Sequence, residues 1–375
     1  MVLASNGVYT FTPVNGFYGP VEFTYQTIDD NASPDTAYAT LHILVMQDLT
    51  LQVRVYLEGA LLNNSNALAS GRPLMRDNLR SSIFAGQTGV RYIPNADPYQ
   101  FVHGTVNVLS KFDHVAPGDL VGFNTIPDPT TVFAVTGQNA IVDWVFIELR
   151  SKTSNTTVLA TRSGLLQRDG DVVDLDGVSG LRFPGVVMDD YYVVVRHHSH
   201  LGAMTAAAQT PLQLTTLVNF TSPSTTNWDY GTTNPNGVVG GINYTGLAQQ
   251  NVVKSGITYR ALWAGDFDAN GKIKNDNPGD DINALSTGVL LYAPPANITY
   301  YPYTGGTPTT TPSNTGFTSN FDFGYGYLQG DFDMNGKAKF DNPDDDKNML
   351  YGQLLFYALN ASLLSNFDHF IEQLP

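Results

Sequence analysis

Gly265-Asp266-Phe267-Asp268-Ala269-Asn270-Gly271-Lys272-Ile273-Lys274-Asn275-Asp276-Asn277-Pro278-Gly279-Asp280-Asp281 recurs from Gly330 to Asp346 as Gly-Asp-Phe-Asp-Met-Asn-Gly-Lys-Ala-Lys-Phe-Asp-Asn-Pro-Asp-Asp-Asp. Side-chain oxygens at positions 1, 3 and 5, with glycine at 6, are what a short loop needs to wrap one hard cation. The first copy offers Asp266, Asp268, Asn270 and Gly271, with the carbonyl of Lys272 next in order. The second offers Asp331, Asp333, Asn335, Gly336 and Lys337. Position 12 should carry an acid but holds Asn277 or Asn342. Two closers remain open. Asp281 and Asp346 would complete the shell from the first turn of a following helix, in an enlarged loop. Asp276 and Asp341, at position 11, are their rivals.

Helices after both loops are expected from Leu285, Val289 and Leu290 and from Leu350, Leu354 and Leu355, with Asp280 and Asp345 at their N-terminal ends. An acidic Asp-Asn-Gly loop can also be a merely solvated turn. Against that, residues 266–281 and 331–346 hold 11 of the 34 acids and only four lysines. Such crowding repels itself unless a cation offsets it. Two calcium ions, one per loop, are therefore expected.

Outward from the repeat, the 375-residue chain carries 19 Lys+Arg against 34 Asp+Glu, a net charge of −15, which argues against a nucleic-acid partner. Thirty-five glycines and 21 prolines suit short strands and turns. Without cysteine no disulfide framework can form. No 18-residue apolar run or signal peptide is visible, so membrane insertion is not expected, and an export signal would have been removed or lie upstream.

Strand alternation appears at Val8 to Pro13, Val21 to Tyr25 and Ala39 to Val45, joined by Asn15-Gly16 and Asp29-Asp30-Asn31. Three strands with one apolar face make half a domain. Further strand signals fall at Leu51 to Leu57, Phe101 to Leu109, Ile141 to Leu149, Thr156 to Thr161, Tyr191 to Val195 and Leu212 to Phe220, with a short turn at Met75 to Ser82. The fold class expected is mainly β. Residues 1–47 form a partial Ig-like repeat, 48–222 a β-sandwich, and 223–375 a small α+β module around the duplicated loops.

Two other passages draw attention. Arg168 to Gly177 places Asp169, Asp171, Asp174 and Asp176 close together, either as a calcium-binding turn or as two Asp-Gly turns flanking a short strand. His197, His198 and His200 could hold a transition metal. In an extended chain, however, His197 and His198 point to opposite faces, and no partner stands at a recognised spacing, so polar strand-end residues are expected. No nucleophile elbow is present, and no enzyme is expected.

Gly7 to Pro13, Phe23 to Tyr25 and Ala39 to Val45 resemble the closing strands of cadherin-like tandem repeats in long bacterial surface proteins. Tyr259 to Asp266, the paired loops, Val142 to Arg150, Gln167 to Gly177, Tyr191 to Gly202 and Asn366 to Pro375 resemble the C-terminal module of large secreted, adhesin- or hemagglutinin-like surface proteins of Bacteroidetes. Those modules carry paired dockerin-like calcium repeats. The resemblance spans roughly residues 49–375. It implies a cell-surface location, calcium, and a structural or adhesive role beside other copies or neighbouring repeats, with more chain upstream of Met1. Asn283 and Asn348 stand where the family often has Asp. A Tyr- and Thr-rich stretch from Asn297 to Ser313 lengthens the first repeat, and its Tyr300, Tyr301 and Tyr303 make glycans an alternative partner for a carbohydrate-binding module.

Overall fold

The computed structural model describes residues 2–3, 9–14, 17, 19–29, 31, 33–45, 48–62, 64, 68–99, 111–115, 125–209, 216–231, 238–276, 280–293, 301–302, 313–341 and 345–375. The strand expected at Phe101 to Leu109, the Asn15-Gly16 turn, Asn277, Asn342, Tyr300, Tyr303 and Thr307 to Pro312 lie outside them.

The chain is mainly β, in open and almost wholly antiparallel sheets. The first two long strands, β1 (Gly19–Ile28) and β2 (Thr36–Val45), form a hairpin whose register sets Val21 opposite Ile43 and Phe23 opposite Leu41. Directly opposed residues share a face, so Val21, Phe23, Leu41, Ile43 and Val45 form one half-buried apolar row. The expected third strand does not join them. Tyr9–Thr10 pairs with Val2–Leu3 instead, and the Phe11 ring reaches the hairpin, 5.3 Å from Phe23.

The principal sheet contains eight strands: β3 (Leu49–Arg54), β4 (Ile141–Ser151), β5 (Ser154–Gln167), β6 (Asp171–Val173), β7 (Leu181–Phe183), β8 (Tyr191–His197), β9 (His200–Met204) and β10 (Leu217–Asn219). Their order is β7-β3-β6-β5-β4-β8-β9, and β10 pairs with β3 in the sheet's single parallel contact. Of the strand expected from Leu212 to Phe220, Leu217–Asn219 is in place, and Leu212 to Thr215 lie outside the described residues. The expected turn at Met75 to Ser82 is present, with Arg80 N donating to Asp77 O.

Central β4 is buried on both faces from Ile141 to Arg150. One face presents Trp144 and Phe146 to Tyr99, Phe112 and His114, whose rings pack edge-on or tilted around Phe146. The other presents Asp143, Val145, Ile147 and Leu149, beside Val193, Val195 and His197 of β8. The main apolar cluster runs from Leu49 to Met334 in sequence, so residues on both sides of position 222 share it.

After β11 (Gln250–Lys254) and β12 (Ile257–Ala261), two helices follow the acidic loops: α3 (Asp281–Leu290) and α4 (Asp346–Phe356), with α1 (Glu58–Leu62) and α2 (Pro129–Ala134) earlier in the chain. Asp280 and Asp345 cap α3 and α4, accepting from Asn283 N at 2.6 Å and Asn348 N at 2.7 Å. The side-chain amides of Asn283 and Asn348 donate to the other oxygen of the same carboxylates, at 3.0 and 2.8 Å. These two asparagines therefore hold each capping aspartate by two donated bonds. Leu285, Val289, Leu350 and Leu354 join Trp263, Phe332, Tyr357 and Phe370 in a second apolar cluster. No helix among the described residues is long and apolar enough to cross a membrane.

Candidate metal centres

Both acidic loops fold to the same hydrogen-bond plan. In the first, Asp266 Oδ2 accepts Gly271 N at 3.1 Å, Asp268 Oδ1 accepts Asn270 N at 3.1 Å, and Asn270 Oδ1 accepts Lys272 N at 2.8 Å. Asp281 reaches back from the helix start to accept Phe267 N at 2.7 Å and Lys274 N at 2.8 Å. In the second, Asp331 Oδ2 accepts Gly336 N at 2.7 Å and Asp333 Oδ1 accepts Asn335 N at 3.0 Å. There Asp346 accepts Phe332 N at 2.7 Å and Lys339 N at 2.8 Å. Gly271 and Gly336, at φ of +83° and +92°, supply the left-handed turn that brings these oxygens together.

Asp266, Asp268 and Asp281 converge, as do Asp331, Asp333 and Asp346, each set within 4.8 Å and able to hold a metal ion. The alternative closers stand elsewhere. Asp341 accepts from Ser319 Oγ at 2.7 Å and Lys347 Nζ at 3.1 Å, while Asp276 is exposed and outside the first set. Lys272 and Lys337 direct their ammonium groups away, towards Asp368 at 3.5 Å and Asp322 at 2.7 Å.

Charge in these loops is only partly balanced. Lys111 Nζ lies 3.4 Å from Asp266 Oδ2, and Arg76 Nη1 donates to Asp333 Oδ2 at 2.9 Å. With all three carboxylates ionised, as a bound metal ion requires, the one facing cation would leave each loop near −2. Burial, reinforced by the neighbouring carboxylates, pushes Asp281, Asp331 and Asp346 well above the usual carboxylate range, and burial takes Asp266 up to about 7. Asp266 Oδ1 and Asn335 Oδ1 are buried without a hydrogen-bond partner. The second loop is pressed onto α1, where a Cβ on Gly59 would stand 1.7 Å from Phe332 O.

The acids of Arg168 to Gly177 serve the sheet instead. Asp169 pairs with Arg72 at 2.8 Å, Asp171 with Arg54 at 2.6 Å, and Asp174 with Arg162 at 2.5 Å. Asp176 accepts Val178 N and Ser179 N around a turn. This passage is the pair of Asp-Gly turns flanking a short strand, β6.

The histidines depart from expectation. His198 and Ser199 form the tight turn between β8 and β9, so His198 leaves the strand and folds over His197, with ring centroids 4.1 Å apart. His200 sits opposite His197 on the same face, with Nδ1 atoms 2.9 Å apart. The missing partner is Asp143 of β4, whose Oδ2 lies 3.0 Å from His197 Nε2 and 3.3 Å from His198 Nε2. Its Oδ1 accepts from Tyr327 Oη and Trp144 N, both at 2.7 Å. Sequence spacing could not show Asp143 or Tyr327, because only the sheet and the second repeat bring them in. Burial holds His197 down at about 4 and His200 well below the usual histidine range.

A cavity of about 430 Å³ between α1 and α4 is lined by Glu58, Leu247, Trp263 and Gln353 among others. Glu58 accepts from Ala264 N at 3.1 Å and Gln353 Nε2 at 2.6 Å, yet burial pushes its carboxyl up to about 8 from 4.5. Between those pH values the folded chain keeps a proton that the unfolded chain has released, so stability falls as pH rises and levels off above about 8. Glu58→Gln is expected to remove a loss on the order of 3–5 kcal/mol between pH 5 and 8, read as the difference between the two proteins' urea-unfolding curves.

No protein-family model, curated protein or solved structure matches the chain.

Proposed function

We propose that this chain is a non-enzymatic, extracellular, calcium-stabilised protein with a structural or adhesive role, part of a long adhesin or of a surface filament. The observation that carries the reading is the duplicated convergence of three carboxylates in each loop, with a buried, unpartnered oxygen on Asp266 and on Asn335. An all-oxygen donor set on an irregular loop favours calcium, which accepts six to eight oxygens in flexible geometry, over the stricter octahedron of magnesium. On this reading each loop and its helix form one half of a dockerin-like module, and the principal sheet belongs to an Ig-like or sandwich domain. Other copies or neighbouring repeats are the proposed partners, supported by the β1-β2 hairpin, which pairs with no further strand among the described residues.

Calorimetric titration of chelator-stripped protein is expected to show two calcium ions per chain. Asp281→Ala and Asp346→Ala should each abolish one site, whereas Asp276→Ala and Asp341→Ala should leave both. Absence of calcium uptake by the wild type would overturn the reading.

A further inference from the structure

We propose that Asp143, His197 and His198 form a site for a first-row transition ion of the zinc class, separate from the two oxygen-donor loops and filled as the chain folds. The bland rival is a buried carboxylate satisfied by hydrogen bonds alone. Three features favour the ion. First, the donor atoms lie within 4.8 Å of one another; the 3.3 Å separation is that of two ligands about 2.0 Å from a tetrahedral centre, and the 3.0 Å one would widen slightly on binding. Second, the groups around Asp143 are the Tyr327 hydroxyl, the Trp144 amide and two imidazoles. Unlike Asp266 and Asp333, it forms no ion pair with a Lys or Arg among the described residues. Third, imidazole nitrogens outnumber hydrogen-bond partners, for His198 Nδ1 and His200 Nε2 are buried with none.

The surroundings of His197 fit a ligated histidine, whereas His198 Nδ1 has no outer partner among the described residues. When Nε2 binds a metal, Nδ1 is normally held by an outer partner that fixes the ring. His197 Nδ1 has such partners in His200 Nδ1 at 2.9 Å and Ser199 Oγ at 3.4 Å, and Tyr327 steadies Asp143. Nitrogen donors select zinc, cobalt or copper over calcium, so the loops and this cluster would not compete for one ion. His197 and Asp143 have no exposed side-chain surface, so the folded protein offers the ion no ready entry.

The test is to unfold the full chain in denaturant with chelator, then refold it after desalting with calcium and one equivalent of Co²⁺. The expected result is one cobalt retained through a second desalting, with the intense visible bands of a four- or five-coordinate site. Asp268→Asn should keep those bands. His198→Gln should fold, by circular dichroism, and lose them. Wild-type protein that retains no cobalt, or only the weak spectrum of six-coordinate oxygen ligation, would overturn the proposal, as would a folded His198→Gln with unchanged bands. If His198→Gln does not fold, the wild-type spectrum decides alone.

Discussion

Stripping calcium from the folded chain is expected to lower its melting temperature by on the order of 10–20 °C. An ion bound only by the native state stabilises by about 4 kcal/mol when its free concentration is a thousandfold above its dissociation constant, so two loops filled as proposed would together contribute about 8 kcal/mol. The loops are placed to transmit that energy. Asp266 and Asp331 are almost wholly buried, and Phe332 and Ile273, inside the loops, belong to the second apolar cluster. Loss of the ion therefore loosens core rather than surface. Melting curves with EGTA, with excess calcium, and with excess magnesium measure the effect. Coincident curves would sink the assignment.

Glu372→Ala is expected to cost about 3–5 kcal/mol, among the largest single-residue losses in the molecule. The carboxylate accepts from Arg196 Nη1 at 2.5 Å and Gly202 N at 2.7 Å, and stands 3.3 Å from Lys111 Nζ. Arg196 also donates to Glu148, which is paired in turn with Arg150. Removing one member leaves a buried guanidinium short of an anion. The backbone adds a further tie, Glu372 N donating to Gly271 O at 2.7 Å. Burial alone would raise the Glu372 carboxyl, but Arg196 and Lys111 outweigh it and hold the group at about 2. That stabilisation is complete above the ordinary carboxylate range and disappears as pH falls towards 2. Urea denaturation at pH 7 should show a lower midpoint with an unchanged slope, and Glu372→Gln, which keeps the bond from Gly202, should lose less.

The fold of the loops was legible in the sequence because its signal is local: the carboxylate spacing, the left-handed glycine and the capping aspartates all lie within one short stretch. The choice between Asp281 and Asp276 was not, since both fall at plausible distances along the chain and only the helix start turns Asp281 inward. Long strands such as Ile141–Ser151 announced themselves through their density of β-branched and aromatic residues, although their arrangement in one eight-stranded sheet did not. His197 and His198 misled for a definite reason. Alternation assumes an extended backbone, and the chain turns at His198. Asp143 stands more than fifty residues before them, with nothing between to mark it as their partner.

Glu58 meets Gln353 across 295 residues of sequence, Arg76 meets Asp333 across 257, and Arg196 meets Glu372 across 176. Contacts of such separation give a high contact order, and loop closure must be completed before they return any free energy. Helix α1 thus waits for a partner in α4 that stands some 300 positions later, and the unit closes late and as a whole. Until then its strand edges and aromatic core are open to misassociation. Binding of a metal ion at the last-formed loops would act as the latch on that process, coupling the end of folding to arrival where calcium is abundant.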